Sequence, residues 1–142
     1  MKIFIDTSIV VDIEREIEDT VNLIEHLIMT NHTVLMSTVV ASEIFTGTYL
    51  RQDYKKATGK AKELFSCFQI IPLDMEIAET TGKISAYLIT NGLPIEYQDV
   101  AIAATFVKEK GDWLLTKNKK HFTIIPGLEK AAVTPAEFKK RG

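Results

Sequence analysis

Three acids far apart in the chain, Asp6, Glu43 and Asp99, each stand where one sequence pattern gives way to another. Asp6 follows the apolar run Met1-Lys2-Ile3-Phe4-Ile5 and precedes Thr7-Ser8-Ile9, which reads as a buried strand delivering a carboxylate to its C-terminal end. Glu43 enters the helix after a second strand, and Asp99 enters the helix before a fourth. In an open α/β sheet, ligands bind in the crevice outside the carboxyl ends of the strands. If these ends share one edge, three carboxylates meet in a small pocket. Such a cluster repels itself and persists only by binding cations or holding protons. Oxygen ligands without cysteine or paired histidine select Mg²⁺, with Mn²⁺ able to substitute, rather than zinc. Glu96, three residues before Asp99, falls on the same helical face and is a further ligand candidate. Taken singly, each acid also has a plainer role: Asp6 and Asp99 as helix caps, Glu43 as an exposed helix acid.

The elements that must position these acids alternate along the chain. Val21, Leu23, Ile24, Leu27 and Ile28 recur at helical spacing as far as Thr30-Asn31-His32, an amphipathic helix. Val34 to Ser37 reads as the second strand, with Thr38 placed to cap the helix that carries Glu43, Phe45 and Tyr49. Asp53 to Phe65 repeats the helical pattern with a lysine-rich polar face, and Cys67 to Leu73 is a third strand closed by Pro72. Asp74 caps a helix whose Ile77, Ile84 and Leu88 share one face, in which Gly82 permits a close approach and which Asn91-Gly92 ends. The segment from Ile95 to Val107 is the most apolar helix. Trp113-Leu114-Leu115 is the fourth strand, with Thr116-Lys117-Asn118 just past its end. His121 to Leu128 reads as a loop or short turn, Ala132-Val133-Thr134 as a weak last strand, and Lys139-Lys140-Arg141 as a frayed end. Strands alternating with helices imply an α/β fold with a mostly parallel sheet covered on both faces. Gly82, Gly92 and Gly111 are isolated, so the common phosphate-cradling loops are absent.

A chain of 142 residues fits a single domain, 1–142, able to bury a core without disulfides. With 46% hydrophobic and 25% charged residues, extensive disorder is excluded. The one cysteine, Cys67, cannot form an internal disulfide and reads as a small buried thiol, which suits a cytoplasmic protein. The stretch before Asp6 is too short for a signal peptide, and no apolar run approaches a membrane span. Net charge is −2, but residues 117–142 hold 7 Lys+Arg against 2 Asp+Glu, whereas residues 1–116 hold 10 against 17. A basic rim beside an acidic centre suits a phosphodiester held next to bound metal. Trp113 and the phenylalanines read as core, His26 and His32 as helix-surface and turn residues, and Tyr49 and Tyr54, flanking Arg51, as contacts for RNA or a partner.

At the level of motifs, Ile5-Asp6-Thr7-Ser8, Ser42-Glu43, Gly92-Leu93-Pro94-Ile95 with Asp99-x-x-Ile102-Ala103-Ala104, and Leu115-Thr116-Lys117-Asn118-x-x-His121-Phe122 with Ile125-Pro126-Gly127-Leu128 occur in order. Together they resemble the PIN-domain ribonucleases, specifically the VapC-type toxins of prokaryotic toxin-antitoxin systems. The resemblance implies a three-layer α/β/α domain around a parallel sheet of four or five strands. It also implies Mg²⁺-dependent endoribonuclease activity leaving a 5′-phosphate and a 3′-hydroxyl, a homodimer, and inhibition by a cognate VapB-type antitoxin. Asp6, Glu43 and Asp99 match the family's acidic triad: Asp6 and Asp99 would hold the ion, with Glu43 as ligand or water-orienting base. Many members carry a fourth acid near the positions of Asn118 or His121, and this chain has neither. Asn118 or Glu96 would then complete the site, or His121 would bind substrate phosphate. Thr7, Ser8 and Thr116 stand where the family orders carboxylates or water. Two other readings stay open: a catalytically silent module that binds metal, RNA or a partner, and an aspartyl-nucleophile phosphatase using Asp6. The second needs another acid two residues on, where Ser8 stands.

Overall fold

The computed structural model describes residues 1–94 and 96–141. Its strands are β1 (Lys2–Ile5), β2 (Thr33–Ser37), β3 (Gln69–Ile71), β4 (Trp113–Leu115) and β5 (Ala132–Val133). Its helices are α1 (Thr7–Glu14), α2 (Glu18–Met29), α3 (Thr38–Tyr49), α4 (Tyr54–Phe65), α5 (Met75–Thr90), α6 (Tyr97–Lys108), α7 (Lys119–Thr123) and α8 (Pro135–Arg141).

The five strands form one sheet in the order β3-β2-β1-β4-β5, and every pairing is parallel. The most apolar strand is therefore central: Ile3, Phe4 and Ile5 are completely buried, between Val34–Leu35 on one side and Trp113–Leu115 on the other. The chain lays β1, β2 and β3 outward in one direction, then returns to place β4 on the opposite flank of β1. That reversal makes a crevice beyond the C-terminal ends of β1 and β4. It is held closed at its base where the Asp6 N–H donates to Leu115 O at 3.3 Å. Helix α6 has an unbroken buried run from Val100 to Phe106, as expected of a helix enclosed on all sides, and its alanines let it lie close to its neighbours.

Several expectations need correction. Cys67 is exposed, because α4 ends at Phe65 and the chain turns at Ser66-Cys67 before β3 begins at Gln69. Ser37, not Thr38, caps α3, its hydroxyl accepting from the Val39 N–H at 3.0 Å while Thr38 is already helical. Glu96 caps α6 through its backbone and so precedes the helix instead of sharing a face within it; the expected start at Ile95 lies outside the described residues. The segment expected as a loop or short turn from His121 begins inside a helix, α7, which runs to Thr123. Lys139 to Arg141 are helical, not frayed: Thr134-Pro135-Ala136-Glu137 forms a capping box at the start of α8, with Thr134 N–H donating to Glu137 Oε1 and Glu137 N–H to Thr134 Oγ1, each at 3.2 Å. Lys119 holds the Glu137 carboxyl down at about 2, which ties α8 to α7. Trp113 is half-buried, edge-on to Phe138 and under the Arg141 guanidinium at 5.1 Å.

Gly82 makes no close approach; a side chain there would meet nothing within 4 Å. The crowded glycine is Gly111, in the turn before β4. A Cβ there would sit 2.5 Å from the Phe106 ring and 2.9 Å from Phe4, two buried rings locked edge to face. Gly111→Ala is therefore expected to cost about 1–3 kcal/mol by overpacking. Gly82→Ala, mid-helix and open, should instead stabilise by about 0.5–1 kcal/mol. Urea unfolding of the two variants beside the parent chain measures both.

Candidate active site

β1 ends in the sheet's centre, so the residue after it inherits the core's burial, and Asp6 is only 3% exposed. Its carboxylate does cap α1, accepting from the Ile9 N–H at 3.3 Å, but the cap is its weakest contact. Ser8 Oγ donates to Oδ1 and Thr116 Oγ1 to Oδ2, both at 2.5 Å. Thr116 lies just past β4 and is completely buried, so the hydroxyl reaches Asp6 only because β1 and β4 are neighbours. Burial pushes the Asp6 carboxyl up from its ordinary range, more than these hydrogen bonds pull it down, and Asp99 adds repulsion.

Glu43 stands in the second turn of α3, half-buried, with Oε1 accepting from Thr7 Oγ1 at 2.7 Å. Asp99 is in the first turn of α6, and its Oδ2 lies 2.8 Å from His121 Nδ1 on α7. Because an ionised carboxylate only accepts, that contact places the imidazole proton on Nδ1. Partial burial raises the Asp99 carboxyl; His121 opposes this and Glu96 adds to it.

These side chains line one cleft of about 360 Å³: Asp6, Thr7, Ser8, Glu43, Glu96, Gln98, Asp99, Asn118 and His121. Eight of the nine residues singled out from the sequence are among them, and the ninth, Thr116, supports Asp6 from beneath. Gln98 was not foreseen, although it sits in the same first turn as Asp99. A larger, more open groove of about 570 Å³ lies at the other end of the sheet, around Trp113. Its acids Asp112 and Glu129 are occupied by the backbone N–H groups of Lys2 and Gly127, so nothing there converges on a ligand.

Among the described residues, no lysine or arginine pairs with Asp6, Glu43, Glu96 or Asp99. Also among the described residues, no three acids, histidines or cysteines form a ready-made metal cage. The acids face one space but are drawn toward their walls: Asp6 to hydroxyls, Glu43 to Thr7, Asp99 to His121. The donor set of carboxylate, amide and hydroxyl oxygens with one imidazole fits Mg²⁺ or Mn²⁺ in kind.

The PIN domain model matches residues 3–127. The chain belongs to the PIN-domain family. No curated protein matches it in sequence. Among solved structures, it is similar to VapBC2 from Rickettsia felis bound to a DNA fragment from their promoter, at 26% identity and TM-score 0.85, covering 94% of this chain and 98% of that one. FitAcB from Neisseria gonorrhoeae matches at 25% identity and TM-score 0.77, over 94% and 98%. VapBC-1 from nontypeable Haemophilus influenzae shares the fold at 22% identity and TM-score 0.81, over 96% and 99%. The VapC-type resemblance of the motifs thus extends to the whole three-dimensional arrangement. No described helix is long and apolar enough to cross a membrane.

A buried carboxyl raised above its ordinary value of 3.8 binds its proton more tightly in the folded chain than in the unfolded one. Ionising Asp6 therefore subtracts stability as pH rises from 3.8 through the raised value. Asp6→Asn, which retains a good cap, should melt higher than the parent at neutral pH in chelator, with the gap closing as pH falls below 3.8. Calorimetry across that window checks the sign.

Proposed function

We propose that this PIN-domain protein is a Mg²⁺-dependent endoribonuclease toxin of a toxin-antitoxin pair, hydrolysing RNA phosphodiesters with an activated water. The observation that carries the reading is the cleft at the β1/β4 switch point: four carboxylates face it, and among the described residues none is paired with lysine or arginine. Asp6, Asp99 and Glu43 would hold the ion, with Mn²⁺ able to replace Mg²⁺. A divalent cation there supplies charge neutralisation for the phosphate and lowers the pKa of a water.

The remaining roles belong to the chain. Ser8 and Thr116 keep Asp6 in one rotamer, so its oxygens present a fixed direction to the cleft. Thr7 does the same for Glu43 through Oε1, leaving Oε2 to ligate the ion or, in its place, to orient the attacking water. His121 orients Asp99 through Nδ1, and its second, half-exposed nitrogen would donate to a non-bridging phosphate oxygen when both ring nitrogens carry a proton. Gln98 and Asn118 place amides at the rim, where they can hydrogen-bond the RNA backbone. Glu96 adds a fourth carboxylate where many relatives carry one elsewhere.

A VapB-type antitoxin and a second copy of the chain are the protein partners that fit this reading. The structures it resembles include VapBC2 and VapBC-1, and Tyr49, Leu50, Met75, Tyr87 and Ile89 leave large apolar side chains exposed.

Asp6→Asn and Asp99→Asn should each lower cleavage of RNA in Mg²⁺ by on the order of a hundredfold or more, since the lost charge stabilisation is worth several kcal/mol. EDTA should abolish the parent's activity and added Mn²⁺ restore it. Gel-resolved cleavage with end-mapping reads both. Folded variants that cut as fast as the parent would overturn the assignment, and RNA bound but never cut by the parent would favour the catalytically silent module.

A further inference from the structure

Asp12 belongs to no part of the cleft, yet it is only 6% exposed, in the interior of α1. A carboxylate is seldom that buried unless it is paired. Its Oδ2 accepts from Thr20 Oγ1 on α2 at 3.0 Å, and its Oδ1 lies 3.0 Å from Lys117 Nζ. Lys117 comes from the short connection between β4 and α7, 105 residues further along the chain.

Ser8 and Asp12 are four residues apart on α1 and so share one face. Lys117 lies along that face and is pinned at both ends. Its backbone N–H donates to Ser8 Oγ at 2.9 Å, and its ammonium reaches Asp12. The same Ser8 hydroxyl donates onward to Asp6 Oδ1, while the preceding residue, Thr116, donates to Asp6 Oδ2. The Asn118 N–H then donates to Thr116 Oγ1 at 2.9 Å. Residues 116–118 therefore set both hydroxyls that aim Asp6. The sheet alone holds them weakly, because β4 has three residues and β5 only two.

From this connectivity we infer that Asp12 and Lys117 are positioning residues, a clamp that fixes the 116–118 connection so that Ser8 and Thr116 present Asp6 to its ligand. The inference rests on the nuclease reading for its activity readout but not for its binding readout. Lys117 is half-exposed but its partner Asp12 is buried, so breaking the pair costs stability as well as geometry, and melting temperature alone does not separate the two. Nor is its ammonium free to meet RNA, since releasing it would leave Asp12 buried with one hydroxyl for company. The clamp therefore acts on the geometry of Asp6 rather than on RNA affinity.

The test compares Asp12→Asn, Lys117→Met, the double variant and Lys117→Arg in the full chain. Mn²⁺ affinity is read by electron paramagnetic resonance, kcat and KM on RNA in Mg²⁺, and melting temperature by calorimetry. Supporting residues around a metal site typically carry 10–100-fold of affinity or activity, so each single variant should weaken Mn²⁺ binding and kcat by about tenfold, with KM within about twofold. The double variant should be no worse than the poorer single, because both break one link. Lys117→Arg, which keeps the charge, should restore most of both readouts. Lys117→Met covers the case in which Asp12→Asn does not fold. Single variants that melt lower but keep parental Mn²⁺ affinity and kcat overturn the clamp, leaving a purely structural pair. A raised KM with unchanged kcat also overturns it, making Lys117 an RNA contact. A parent that binds Mn²⁺ in the predicted order of variants yet cuts no RNA sinks the nuclease reading and sustains the clamp; a parent that binds no Mn²⁺ sinks both.

Discussion

A single charge in an apolar place governs this molecule. Asp6 directly follows the most completely buried strand, in a sheet whose core otherwise consists of aliphatic and aromatic side chains. Taking a carboxylate out of water is costly, and burial does raise its pKa. The fold meets that cost with hydroxyls from two directions, Ser8 in the same chain segment and Thr116 from the neighbouring strand end. Hydroxyl donors stabilise the ionised form without cancelling its charge, as a lysine would. The carboxylate is thereby kept in place and still electrostatically unsatisfied, which is the state a cation-binding group must be in.

The rest of the charge distribution follows the same division. Away from the cleft, several acids are matched by cations: Asp53 with Arg51, Glu76 with Lys108, Glu137 with Lys119, Asp12 with Lys117. Within it, the only basic group paired with an acid among the described residues is His121 on Asp99. The basic C-terminal stretch is accordingly less of a free rail for phosphates than its composition suggests. Lys117 and Lys119 are engaged in tying α7 and its flanks to α1 and α8, and Arg141 covers Trp113. Their contribution is to brace the wall of the cleft that bears Asn118 and His121.

Helix capping and site building turn out to be compatible roles. Asp6 is both the N-cap of α1 and a wall of the cleft, because a strand that ends at the crevice hands over directly to a helix that begins there. Glu96 likewise occupies the cap position of α6 while its side chain lines the cleft. The two roles that the sequence poses as alternatives are, at a strand-to-helix junction, one location.

What the sequence determined by itself was the set of local patterns: five strands alternating with helices, the acids at their junctions, and the Asp74 cap and Gly92 stop of α5, where φ is 65°. Those features depend on neighbours within a few residues, so they are written in the chain at short range. The capping box at Thr134 to Glu137 is equally short-range, since its Thr-x-x-Glu spacing is present in the chain itself. Only the tertiary structure decided which strand ends are adjacent. Sheet order is set by crossover connections and burial of whole elements, and no spacing reveals that β4 lies against β1. From that one adjacency come the contact of Thr116 with Asp6, the union of Glu43 and Asp99 in one cleft, and the pairing of Asp12 with Lys117. Exposure of Cys67 and openness around Gly82 were likewise beyond local reading, because burial is a property of what packs over a residue and not of its own neighbours in sequence.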